Sequence, residues 1–172
     1  MRKLVVLFVL LALALPVAGL AGLKALRNEG TLSVDAGRGI VTVKAKGGVI
    51  GRLDRGTVTI WDLTPNDAYE ARVVGDDRPV REIGENGLRY AGNGLRFRLV
   101  GGEFRITVTG VGIDLSAVGR GWTFVNGVGA EPGLFSLDGV DCSMSRAACK
   151  PLPEVGRRFQ LGGPERGNPN SG

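Results

Sequence analysis

Arg96, Arg98 and Arg105 are the residues of this chain whose spacing points most directly to chemistry. If Gly101-Gly102 is a two-residue hairpin turn, Leu99 faces Phe104, Arg98 faces Arg105 and Phe97 faces Ile106. One side of the strand pair is then apolar and the other carries three guanidinium groups. Directly opposed arginines repel, and an anion between them removes the repulsion. The chemistry to expect is the holding of an anionic partner, either an acidic envelope polymer or a membrane surface, with a merely solvated basic face as the simpler alternative.

Catalytic chemistry is narrowly bounded. The 172 residues include no histidine, so Ser-His-Asp and Cys-His machinery, HExxH zinc sites and a histidine general base are all excluded. None of the serines starts an SxxK pair, which removes a common histidine-free nucleophile. The glycine-rich stretches GGVIGRLDRG (47–56) and GVGIDLSAVGRG (110–121) lack the GK[ST] ending of a phosphate loop and read as tight turns. Asp76-Asp77 and the pair Asp138 and Asp141 form no calcium loop and read as solvated turn carboxylates. No catalytic residue, metal or cofactor is expected.

Arg55 and Arg120 each precede a glycine, Gly56 or Gly121, and are expected to serve structure by binding loop carbonyls or a carboxylate such as Asp54 or Asp114. Trp122 and Phe124 place two aromatics on one side of a short strand. They need a covering segment, for which 133–140 and 157–161 are the candidates, or else they form an exposed platform of the kind that stacks on sugar rings.

Stepping along the chain, Arg2 and Lys3 precede an uncharged run over 4–23 in which the strongly apolar part ends at Pro16 and small residues follow. This is the pattern of a secretory signal peptide over 1–21, cleaved after Ala21. Since 20 residues at about 1.5 Å each could span a bilayer core, a retained membrane anchor is the alternative. Without Arg2 and Lys3 the formal net charge falls from +5 to +3, so no specific nucleic-acid partner is expected, and nothing in the sequence names a protein partner. Cys142 and Cys149, seven positions apart in an exported chain, are a candidate disulfide.

The elements that must carry these residues repeat. Residues 31–60 match 96–125 without gaps at an offset of 65, with Gly37/Gly102, Thr42/Thr107, Val43/Val108, Gly47/Gly112, Arg55/Arg120 and Gly56/Gly121 identical. Each copy reads as a hairpin, turning at Ala36-Gly37 or Gly101-Gly102, followed by a third strand at 57–61 or 122–126. The equivalents of Arg96, Arg98 and Arg105 are Thr31, Ser33 and Ile40, so the arginines are not required by the repeat. Further short strands are expected at 69–74, 78–83, 134–137 and 157–161.

The stretches GRGIVTVKAKGGVIGRLDRG and GNGLRFRLVGGEFRITVTGVGIDLSAVGRG resemble a family of small exported bacterial all-β proteins with a GIDLSAVGRG-type signature. The resemblance covers roughly 30–140 and implies export, but brings no activity, cofactor or catalytic residue with it. The segment CSMSRAAC (142–149) is an addition to that pattern.

Together these readings predict one antiparallel all-β domain over 28–161. It would be a sandwich or small barrel built from a duplicated three-strand unit, with a short β-solenoid as the alternative and a disordered tail over 162–172. The expected function is that of an exported, non-catalytic, envelope-associated or secreted protein with a binding or structural role. The rival is a carboxylate-dependent hydrolase of an extracellular polymer, which requires two acidic side chains in one cleft. Exported protein is expected to begin near Gly22 on N-terminal sequencing and intact mass, whereas a full-length product extracted from membranes would establish the anchor.

Overall fold

The computed structural model describes residues 29–65, 71–76 and 78–163. The expected leader, Tyr69, Asp77 and residues 164–172 of the expected tail lie outside them. In chain order the elements are β1 (Gly30–Asp62), β2 (Arg72–Asp76), β3 (Arg81–Glu82), β4 (Gly87–Gly127), β5 (Leu134–Ser136), a 3-10 turn (Arg146–Ala148), β6 (Lys150–Pro151) and β7 (Arg157–Leu161). No α-helix occurs among the described residues. The strands form one antiparallel sheet in the order β2-β4-β1-β5-β6, with β3 and β7 also paired to β4. The all-β antiparallel expectation therefore holds, but the sheet is not closed into a barrel. Its antiparallel ladders also differ from the parallel coils of a β-solenoid.

β1 and β4 have 33 and 41 residues. Fully extended they would reach roughly 110 and 135 Å, so in a domain of this size both must bend repeatedly. Each works as several shorter strands. Residues 39–46 pair with 103–110 along one edge and with 120–127 along the other. Residues 48–52 pair with 96–100 and 114–118, and 55–61 with 87–93 and 105–111.

This pairing overturns both expected hairpins. A strand residue has only two hydrogen-bonding edges, and those of Val41 are taken by Val108 and Val125, leaving none for Leu32. Phe104 is likewise held by Ala45 and Asp62 rather than Leu99. The residues read as turns are bulges instead. The ladder passes from Val34/Leu115 to Gly37/Ile113, so β1 carries one extra residue there, and Ala36 has φ 51°. It then passes from Lys46/Glu103 to Gly48/Val100, so β4 carries one extra residue at Gly101 and Gly102, with φ 82° and 66°. Positive φ at these sites bends a strand that carries on, rather than reversing it.

The inward face nevertheless follows the alternation in the sequence. Val41, Val43, Ala45 and Val49 on β1, and Leu95, Phe97, Leu99, Phe104, Ile106 and Val108 on β4, are each at most 5% exposed and belong to a single core. Burying each of the larger of these side chains contributes about 1.5–3 kcal/mol, and a one-residue slip would turn the whole set outward. On the outer side of the central ladder Thr42 lies against Thr107, their hydroxyls 3.0 Å apart.

Of the shorter strands, β7 occupies the expected 157–161, β5 ends one residue before expected, β2 is shifted toward the C-terminus and β3 is reduced to two residues. Cys142 and Cys149 are disulfide-bonded. Cys142 is fully buried and its N–H donates to Ser33 Oγ at 3.0 Å, which fixes the bridged loop to β1.

The bends depend on glycine where strands meet edge to edge. A Cβ on Gly121 (φ 155°) would overlap the Lys44 carbonyl oxygen, and one on Gly56 (φ 152°) that of Thr109. Gly121→Ala is therefore expected to destabilise the protein by about 2 kcal/mol or more in urea unfolding. Gly48→Ala, whose Cβ would meet nothing nearer than the Leu99 carbonyl oxygen at 3.5 Å, should stay within about 0.5 kcal/mol of the unsubstituted protein.

Candidate anion-binding groove

Leu95, Phe97 and Leu99 point inward, so the alternation of β4 turns Arg96 and Arg98 outward, and both are exposed. Cross-strand partners share a face. Arg98 lies opposite Arg72 of β2 and Ile50 of β1, and Arg96 opposite Val74 of β2 and Arg52 of β1. Three strands thus bring Arg52, Arg72, Arg96 and Arg98 to one surface. They line a groove of about 450 Å³ together with Asp114 and Ser116 of β4, Ser33 of β1, and Asp141 and Ser143 at the start of the disulfide loop.

The charges are unequally compensated. Arg52 binds Asp114 through Nε and a terminal nitrogen, each 2.7 Å from Oδ2, while the Ala36 N–H donates to Asp114 Oδ1 at 2.8 Å. Among the described residues no carboxylate lies within ion-pairing distance of Arg72, Arg96 or Arg98. The pair Arg72/Arg98 places like charges directly across the ladder, which is unfavourable, whereas Arg52, opposite Arg96, already has Asp114.

Arg105 belongs elsewhere. Its register partners are Lys44 and Trp61, and its guanidinium lies 4.0 Å from the centre of the Trp61 ring. Arg105 Nε is buried there without a hydrogen-bond partner. The expected trio is therefore split, because the hairpin that would have set Arg98 against Arg105 is not formed. In place of Arg105 the groove contains Arg52 and Arg72. Arg52 sits in a stretch that reads as a connection, and Arg72 lies more than twenty residues before its partner, so only the cross-strand register reveals them.

Arg55 is exposed and stands opposite Asn93 and Val111, while Arg120 is half-buried opposite Lys46. Asp114, one of the carboxylates considered for them, belongs to Arg52. Trp122 and Phe124 are half-buried and lie along β7, opposite Gln160 and Arg158. Arg158 stacks on Trp122 at 4.1 Å and Gly156 lies against the Phe124 ring. The 157–161 candidate thus provides the cover, and both tryptophans of the chain carry an arginine on their face.

Asp114 and Asp141 share the groove, but each is engaged. Ser143 donates to Asp141 Oδ1 through its hydroxyl at 2.7 Å and its backbone N–H at 2.9 Å. These bonds, the hydroxyl first, hold the Asp141 carboxyl below the usual aspartate range. The loop is further tied down by Arg146, which reaches the largely buried Asp35 at 2.6 Å.

Compared with known proteins, the chain matches no family model, no curated protein and no solved structure.

A carboxyl whose folded pKa lies below its unfolded value stabilises the fold above that unfolded value, and the contribution is lost as the pH falls through the folded one. The Ser143 amide is expected to stay protected through the ordinary aspartate range and to lose protection only below it, as read by an NMR pH titration. Asp141→Asn should remove that pH dependence.

Proposed function

We propose that this chain is an exported, non-catalytic protein of the cell envelope or extracellular space that binds an anionic ligand in the groove built by β1, β2 and β4. The observation carrying this reading is the set of three outward arginines, Arg72, Arg96 and Arg98, gathered from two strands without a compensating carboxylate among the described residues. Side chains placed this way cost stability in the empty protein, and an anion with several charged groups relieves that cost. Export is supported by the leader pattern, by the disulfide, which suits an oxidising compartment, and by the resemblance carried by the GIDLSAVGRG signature.

The domain is read as a duplication. In support, the bulges at Ala36-Gly37 and Gly101-Gly102 stand 65 positions apart. So do Thr42 and Thr107, which pair with each other at the middle of their ladder, as expected at a two-fold axis. Gly56 against Thr109 and Gly121 against Lys44 make the same close approach with the copies exchanged.

The rival, a carboxylate-dependent hydrolase, draws on the presence of Asp114 and Asp141 in one groove. A general acid needs a carboxyl that keeps its proton near neutral pH. Asp141 is stabilised in its charged form, and Asp114 is already engaged by the Arg52 guanidinium and the Ala36 N–H. Their environments favour binding over bond cleavage.

On a polyacrylate matrix the protein is expected to be retained at low ionic strength and released as salt rises toward physiological levels. Arg96→Ser combined with Arg98→Ser should elute at distinctly lower salt, while Arg105→Ser should elute with the unsubstituted protein. Equal retention of the double variant would remove the groove from the account.

A further inference from the structure

The arginine groove runs without a break into an apolar surface. Gly48 lies between Val100 and Val118 on the outer face of the sheet, and the next row places Ile50 between Arg98 and Ser116. With no side chain at Gly48, the two valines flank a trough of about 320 Å³ that shares Ile50, Arg98 and Ser116 with the arginine groove. Ile50, Val100 and Val118 are 56%, 49% and 37% exposed. Val74, on the same face opposite Arg96, is 46% exposed. Aliphatic side chains are thus left in water on one face with Arg96 and Arg98, which have no carboxylate within ion-pairing distance among the described residues.

Resting on the anion-binding reading above, we infer that this face docks on an anionic lipid surface. The arginines take the phosphate headgroups while Ile50, Val100 and Val118 enter the boundary between headgroups and acyl chains. A soluble polyanion would satisfy the arginines and leave the aliphatic row wet, whereas a lipid interface offers a partner to both. β1 begins beside this face, with Gly30 opposite Gly119 and Thr31 opposite Val118.

The test is co-sedimentation of the exported protein with vesicles of phosphatidylglycerol or of phosphatidylcholine, alongside the polyacrylate column. The expected result is binding to phosphatidylglycerol vesicles at least tenfold stronger than to phosphatidylcholine. Ile50→Ser combined with Val100→Ser should lower vesicle binding about tenfold and leave column retention unchanged, and Arg96→Ser combined with Arg98→Ser should lower both. Both aliphatic positions are already exposed, so a native circular dichroism spectrum and melting temperature are expected for that variant. Column retention without vesicle binding would overturn the lipid inference and leave the anion reading standing, and loss of both would overturn the two together. Equal binding to the two vesicle types, or vesicle binding indifferent to the aliphatic pair, would also overturn the inference.

Discussion

The central constraint is that β4 occupies both edges of β1. Through 39–46, 48–52 and 55–61, every stretch of β1 lies between two stretches of β4. No local hairpin can form there without breaking a ladder, and no register shift can occur without turning the aliphatic face into water. The glycines follow from the same constraint. Bent strands bring the backbone of one against the carbonyls of the other, and at Gly56 and Gly121 a side chain would fill space that an oxygen already holds.

Period-2 alternation was legible in the sequence because it depends only on which side of a strand a residue takes. Leu95, Phe97, Leu99, Val41 and Val43 all point inward as their spacing requires. The partners were not legible. A Gly-Gly or Ala-Gly step flanked by alternating residues fits a two-residue hairpin and a bulge in a continuing strand almost equally well, and both keep the same inward face. The choice was made by long-range pairing, since Val41 bonds with Val108 and Val125, residues 67 and 84 positions away. The same gap explains the site. Arg96 and Arg98 were found because they alternate with core residues. Arg105 joins them only through the local hairpin, which does not form, and only the tertiary register brings in Arg52 and Arg72.

Electrostatically the groove is two unlike halves. On one side Asp114 fixes Arg52 while also accepting the Ala36 N–H at the β1 bulge, so the ion pair holds a backbone bend as well as a side chain. On the other side Arg72, Arg96 and Arg98 lie near the sheet edge formed by β2, where water screens their repulsion. Cation-stacking elsewhere, at Trp61 and Trp122, shows how this chain accommodates arginines that serve the fold: a guanidinium is laid on an aromatic face. Among the described residues Arg72, Arg96 and Arg98 have neither an aromatic face nor a carboxylate partner, and that separates them from Arg52, Arg105 and Arg158.

On the proposed duplication, the two copies differ most where their outer faces meet the added segments. Thr31 and Ser33, the equivalents of Arg96 and Arg98, are half-buried and engaged by other segments. The Thr31 hydroxyl donates to the Leu137 carbonyl at 3.4 Å, and Ser33 receives the Cys142 N–H and pairs with Ser136 of β5. Small hydroxyl side chains suit a face on which another segment must lie flat, and arginines suit one left open. The segment that enters the disulfide loop also brings Asp141 and Ser143 to the lining of the groove. The surface around Thr31 and Ser33 thus holds the loop, whereas Arg96 and Arg98 on the equivalent stretch of β4 are exposed.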